Sequence, residues 1–228
     1  MKGWSAVGAS GARLVLLGPP GVGKGTQAAE ICRRTGLPHI STGDLLRAAI
    51  RDGSPLGRRV AAIVERGELV PDGLVAEVME ERLARPDAAV RFLLDGFPRT
   101  VAQADLLDRI LAKRGQALDR VISIEVPEAE IVDRLAGRRS CGHCGATYHV
   151  RYNRPKVDGV CDRCGSELRQ RPDDAEAVVA QRLKAYREQT APLVARYRKT
   201  GRLVEIDGQG RTDEVFGRIA AVVPGLAA

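Results

Sequence analysis

The chain has 228 residues, 44% apolar and 29% charged, enough for one globular domain with a real core, and no apolar run approaches the ~20 residues of a membrane span. Its net charge of +7 points to anionic partners without choosing between nucleic acid and small phosphates. Five cysteines, Cys32 alone and four in a tight pattern, point to metal binding rather than to a secreted disulfide framework.

The N-terminal "MKGWSAVGASGA" (1–12) has one lysine and no apolar stretch of signal-peptide length, so it reads as a flexible tail on a cytoplasmic protein. The first apolar run, "RLVLLG" (13–18), reads as a buried strand, and "KGTQAAEICRRTG" after it as a helix. "LPHI" (37–40) is a weaker strand signal. "DGLVAEVMEERLAR" predicts a helix before the strand "RFLLDG" (91–96), and "TVAQADLLDRILAKRG" one after it. "RVISIEV" (120–126) and "RLVEIDG" (202–208) complete five strands. Strands apolar throughout, alternating with helices, predict an α/β fold: a parallel sheet covered by helices on both faces.

Residues 137–172 interrupt this alternation. They are glycine-rich, poor in helical periodicity and basic, with eight Lys/Arg against three acids, so five of the seven net charges sit there. They read as a small inserted module. After it, "PDDAEAVVAQRLKAYREQ" predicts a helix capped by Asp173 or Asp174, kinked or divided at Pro192 and ended by Gly201.

Two stretches of the core carry phosphate chemistry. "GPPGVGKGTQ" (18–27) lies between a predicted strand and a predicted helix, where inward-turned backbone N–H groups and a helix N-terminus hold phosphate oxygens and Lys24 adds a point charge. It departs from G-x-x-x-x-G-K-[ST] at one place: Gly25 stands where a hydroxyl residue would, with Thr26 one position late. Coordination of magnesium by a loop hydroxyl is therefore in doubt, and the triphosphate reading is not. "FLLDGFPR" (92–99) ends a strand on Asp95, the place of an acid that helps hold Mg²⁺ directly or through water, although such an Asp taken alone is commonly a turn residue.

Within the insert, "CGHCG" (141–145) and "CDRCG" (161–165) are two C-x-x-C-G knuckles that can close on one tetrahedral ion. Cys141, Cys144, Cys161 and Cys164 predict a structural Zn²⁺ site, with iron in the same thiolate cage as the alternative. Four sulfur ligands leave no open position for catalysis. His143 inside the first knuckle is a competing ligand only if a cysteine is displaced. His39 and His149 read as structural or exposed, and Cys32 as a small buried apolar residue.

Taken together, "GPPGVGKGTQ", "STGDLLR" (41–47), "LLDGFPRT" (93–100), "GRR" (137–139) and "RPDD" (171–174) resemble adenylate kinase, in order and at matching spacing, over residues 13 to about 222. A glycine before the loop threonine is that family's usual form. The resemblance implies a P-loop core with a five-stranded parallel sheet (13–40, 71–136 and 174–228), a nucleoside-monophosphate-binding segment (41–70) and a long lid of the bacterial type (137–173). It implies the reaction Mg·ATP + AMP ⇌ 2 ADP, ATP, AMP and ADP as partners, no nucleic acid or membrane, and a monomer. Carried over by position, Lys24, Gly21, Val22, Gly23, Gly25 and Thr26 would hold ATP phosphates. Arg134, Arg138, Thr147, Tyr148 and Gly210 would contact the rest of ATP. Arg47 and Arg99 would hold the AMP phosphate, Thr42 and Gln103 its adenine, and Glu68, Leu69, Val70 and Gly96 the surrounding wall. Arg171 and Arg182 would bridge the reacting phosphates, beside Asp95.

That chemistry suits these residue types. The acceptor phosphate already carries a nucleophilic oxygen at neutral pH, so alignment and charge neutralisation are needed and a general base is not. Arginine is always protonated and can bond two phosphate oxygens at once. Arg134 and Arg138, four apart, would share a face if helical. Gln103 offers a donor and an acceptor side by side, matching an adenine edge. Rival readings are another nucleoside monophosphate kinase, a GTP:AMP phosphotransferase, a non-catalytic nucleotide sensor and a nucleic-acid-dependent ATPase. The last is disfavoured by an aromatic content of 4% and the lack of a recognition helix.

Overall fold

The computed structural model describes residues 12–223. The expected N-terminal tail therefore lies outside the described residues, apart from Ala12, which is buried and accepts a bond from the Phe92 N–H.

Five strands form one fully parallel sheet: β1 (Arg13–Leu17), β2 (His39–Ser41), β3 (Phe92–Asp95), β4 (Arg120–Glu125) and, near the C-terminus, β8 (Leu203–Asp207). Their order is β2-β3-β1-β4-β8. The apolar runs are continuous because both faces are covered. Val15 and Leu17 of β1, Phe92 and Leu94 of β3 and Val121 of β4 face one core; Leu14, Leu16, Leu93, Ile122 and Ile124 face the other. Helices α1 (Lys24–Thr35) and α9 (Thr212–Val222) cover the second face, and α4 (Asp72–Ala84), α5 (Val101–Ala112) and α8 (Pro192–Lys199) the first.

The chain moves to one side of β1 through β2 and β3 and to the other through β4. This places a crevice at the carboxyl ends of β1 and β3, where open α/β sheets bind ligands. Two smaller units overhang it. Helices α2 (Thr42–Arg51) and α3 (Pro55–Glu65), each with a serine N-cap (Ser41 and Ser54), pack together between β2 and α4. Beyond α6 (Glu128–Ala136), strands β5 (Arg138–Cys141), β6 (Thr147–His149) and β7 (Leu168–Arg169) form an antiparallel sheet in the order β6-β5-β7. Its core is small: Cys141, Ala146, Tyr148, Cys161 and Leu168.

Three local expectations are corrected. Asp173 and Asp174 do not cap a helix; Pro172–Asp174 is a 3₁₀ turn, and α7 (Glu176–Ala185) starts after Ala175 without a side-chain cap. Both carboxylates turn instead toward arginines. Arg134 and Arg138 do not share a helical face, because α6 ends at Ala136 and Arg138 opens β5. The "LPHI" strand starts two residues later and ends one later, at His39–Ser41. Pro192 does divide the C-terminal helix: a π-helical stretch, Tyr186–Thr190, precedes it, and Pro192 takes the first position of α8.

Candidate active site

The loop after β1 turns through Gly18, Gly21 and Gly23, all at positive φ, and Gly23 (φ 103°) is the N-cap of α1. A side chain at Gly23 would be strained there, so glycine leaves the backbone free to aim its N–H groups at the crevice. Lys24 folds back over the loop, donating from Nζ to the carbonyls of Gly18 and Pro19, both at 2.8 Å. Burial pushes its ammonium down to about 8, with Arg99, Arg182 and Arg138 adding to the shift against the opposing pull of Asp95. Asp95 closes β3 with His39 Nε2 at 3.6 Å from its carboxylate, an ion-pair distance rather than a hydrogen bond. Burial would raise the Asp95 pKa, but His39, Lys24 and Arg99 together hold it below the usual range. At Gly25 a Cβ would come 3.6 Å from Asp95 Oδ2, so the absent side chain leaves open space beside this carboxylate.

A cavity of about 830 Å³ opens over the loop, walled by the core, α2 and the antiparallel sheet. Arg47 of α2, Arg99 after β3, Arg138 of β5, Arg171 before the 3₁₀ turn and Arg182 of α7 all line it, together with Lys24 and Asp95. Arg99 donates from Nε to the Gly96 carbonyl (2.8 Å) and Arg171 from Nε to Ser140 Oγ (2.8 Å). Arg182 donates to the Asp173 carbonyl (2.8 Å) and to Asp174 Oδ1 (3.0 Å). Burial lowers Arg99 and Arg171 to about 10, and neighbouring arginines contribute in both cases: Arg182 and Arg47 for the first, Arg47 and Arg138 for the second. Cations crowded until they depress one another's pKa are a site that a polyanion would relieve.

Most of the site residues expected from sequence meet at this one cavity. Gly21, Gly23, Gly25, Thr26 and Thr147 line it on the sides of the loop and the antiparallel sheet. Thr42, Glu68, Leu69, Val70, Gly96 and Gln103 line the side toward α2 and α3. Val22, Arg134, Tyr148 and Gly210 do not. Val22 is buried, and its carbonyl accepts from Arg134 Nη1 (3.0 Å), whose Nη2 donates to the Gly208 carbonyl (2.9 Å). Arg134 thus ties the phosphate loop to the loop after β8, next to Gly210. The Tyr148 hydroxyl accepts from the Asp162 N–H (2.9 Å) inside the cysteine module.

Sequence reasoning missed the acids that hold the arginines. Asp174 pairs with both Arg138 and Arg182, Asp173 with Arg182, and Asp44 with Arg47. It also missed Asp72, which accepts from Gln103. Only the Asp44–Arg47 pair follows a helical spacing, i to i+3 on α2; Asp174 and Arg138 lie 36 residues apart and Asp72 and Gln103 lie 31 apart, and "RPDD" hinted only that two acids follow an arginine.

The four sulfurs of Cys141, Cys144, Cys161 and Cys164 all lie within 4.8 Å of one another, with 141–164 and 144–161 both at 3.5 Å. These separations are too long for disulfides and close to the edges of a tetrahedron with metal–sulfur bonds of about 2.3 Å. The knuckle glycines Gly145 and Gly165 have positive φ, and the Cys144 N–H points at Cys141 Sγ (3.5 Å). The donor set fits Zn²⁺, and His143 is not part of it.

Comparison with known proteins gives a consistent result. The family model described as adenylate kinase matches residues 16–202. An adenylate kinase of Moorella thermoacetica is 60% identical over 196 residues, 86% of this chain and 90% of that protein. One of Carboxydothermus hydrogenoformans is 55% identical over 207 residues, 91% and 97% of the two chains. One of Syntrophobacter fumaroxidans is 50% identical over 210 residues, 92% and 99%.

Proposed function

The chain belongs to the adenylate kinase family, phosphotransferases of the nucleoside monophosphate kinase class that catalyse Mg·ATP + AMP ⇌ 2 ADP, and we propose that it does so by alignment and charge neutralisation alone. The observation that carries this reading is the convergence of Lys24, Arg47, Arg99, Arg138, Arg171 and Arg182 on one cavity.

The loop amides of Gly21–Thr26 and Lys24 hold the donor's outer phosphates. Arg47 and Arg99 fix the acceptor phosphate on the side of α2. Arg138 of β5, Arg171 before the 3₁₀ turn and Arg182 of α7 gather the charge of the transferring group between the two. Asp95 is the group placed to hold Mg²⁺, directly or through water, and the ion supplies neutralisation of the donor phosphates when bound. The acceptor oxygen is already ionised, so no side chain has to take a proton. Water is kept out by the lid, whose Gly142 carbonyl accepts from Arg51 Nη1 at 3.2 Å, joining lid and α2 over the cavity.

The segment 41–70 serves as the acceptor-binding unit and 137–173 as the lid, each tied to the core at both ends. Zn²⁺ in the four-cysteine cage staples the lid, whose own apolar cluster is too small to fold it alone. A thiolate cage suits a reducing compartment, which supports a cytoplasmic enzyme.

The test is ADP formation from Mg·ATP with AMP, CMP, UMP and GMP offered separately, beside a control with no acceptor. Product with AMP alone and a silent control is expected. Product with another monophosphate would move the acceptor assignment, GTP serving better than ATP would move the donor, and ADP in the control would mean hydrolysis and overturn the closed-lid reading.

A further inference from the structure

Gln103 sits in the first turn of α5, 2% exposed, with its side chain at the cavity wall. An unconstrained amide can turn over by 180° and exchange its donor and acceptor. Here two partners fix it from opposite ends. Oε1 accepts from the Arg99 N–H at 2.8 Å, and Nε2 donates to Asp72 Oδ1 at 2.7 Å. A backbone N–H can only donate and an ionised carboxylate can only accept, so both demand the same orientation. One N–H and one oxygen lone pair of the amide remain for a ligand.

Asp72 is itself held. It is the first residue of α4, and its Oδ2 accepts from Thr100 Oγ1 at 3.0 Å, the hydroxyl that also caps α5 by accepting from the Gln103 N–H at 3.1 Å. Asp72 does not line the cavity. It therefore reaches a ligand through Gln103, bonded to the amide directly and to its helix cap through Thr100.

We infer that Asp72 is a positioning residue that sets the acceptor-base specificity by holding the Gln103 amide in one orientation. The inference rests on the reading that Gln103 faces the acceptor base. Adenine presents an amino donor beside a ring-nitrogen acceptor. Hypoxanthine, otherwise alike at this edge, presents a carbonyl acceptor beside a ring N–H donor, the reverse order. A locked amide matches one order and sets like against like in the other, and such mismatches inside a site that hydrogen-bonds its ligand are strongly rejected.

The test is steady-state kinetics of the full chain with ATP and either AMP or inosine monophosphate, for wild type, Asp72→Ala, Asp72→Asn and Gln103→Ala. Asp72→Ala is expected to raise KM for AMP about tenfold, the worth of one hydrogen bond to a charged group, with KM for ATP unmoved. Its preference for AMP over inosine monophosphate in kcat/KM should fall by about the same factor. Asp72→Asn keeps a carbonyl oxygen toward Nε2 and should restore most of both. Should Asp72→Ala not fold, Asp72→Glu, which shifts the acceptor by one methylene, carries the same expectation. A wild-type AMP KM and base preference in the folded Ala or Glu variant would overturn the inference, as would equal defects in the Ala and Asn variants. If Gln103→Ala also keeps the wild-type values, the placement of the base against Gln103 falls; a defect in Gln103→Ala alone would sink only the role of Asp72.

Discussion

Arg138 and Asp174 form a two-point ion pair between the lid and its return to the core, with Nε to Oδ2 at 2.7 Å and Nη2 on Oδ1. The carboxylate side chain has no solvent exposure and also accepts from Arg182. One buried anion thus keeps two cationic groups of the site apart and aimed. Replacing Asp174 by Ala leaves two half-buried guanidinium groups facing each other. Removing one partner from a buried pair commonly costs about 3–5 kcal/mol. Asp174→Ala is expected to lose stability on that scale and to lose turnover with it, measured by thermal melting and ADP formation. A wild-type melting temperature would show that the pair does not organise the site.

Arg99 is in the opposite position. Its guanidinium is bonded to the Gly96 carbonyl, and burial and the nearby Arg182 depress its pKa to about 10. Removing it breaks no ion pair: it relieves repulsion from Arg182 and Arg47 and gives up a weaker attraction to Asp95. Arg99→Ala should keep or raise the melting temperature while turnover drops about 10²-fold or more, the usual loss when one charge-stabilising donor is removed. Stability loss with near-normal turnover would reverse the assignment of Arg99 from function to scaffold.

These two arginines also mark what sequence could and could not convey. Both were legible as residues of the site, because each sits in a motif whose order along the chain resembles a known enzyme, and both line the cavity. The sheet was legible because its central strands β1, β3 and β4 are apolar on both faces. The acids were not. Asp174 stands before a helical pattern, where an Asp is ordinarily a cap, and its actual partners lie 36 and 8 residues away. The lid strands were equally hidden: β6 and β7 have three and two residues, and β5 pairs with β7 across nearly thirty positions, so no local periodicity could announce them.

Lys24 gives the site a pH signature. Its pKa falls from 10.5 to about 8 in the folded protein without nucleotide. Between those values the unfolded chain binds more protons at this group than the folded one. The contribution of Lys24 to stability therefore rises with pH across that window, and below about 8 its burial opposes folding in full. Donor phosphates should draw the pKa back up. Binding of Mg·ATP at pH 8 is then expected to take up about half a proton, declining toward zero near pH 6.5. Titration calorimetry in buffers of different ionisation enthalpy reads this directly. A binding enthalpy independent of buffer at pH 8 would mean that Lys24 does not meet the phosphates.

The cysteine cage should govern the lid and not the core. Cys141 and Cys161 make up two of the five residues in the lid's own apolar cluster, so the module has little to fold around once the ion is gone. By contrast, the two clusters flanking the parallel sheet contain no metal-binding residue. Elemental analysis of the purified protein should find one zinc per chain. Chelation should then expose residues 137–173 to protease while the sheet keeps its circular dichroism, and ADP formation should fall because Arg138 and Arg171 lose their frame. Opening of the lid also admits water, so residual hydrolysis of ATP without an acceptor should rise as transfer declines. Iron in place of zinc would change the elemental result and leave the chelation outcomes standing. A metal-free protein with full activity and an intact lid would show that the cage is dispensable.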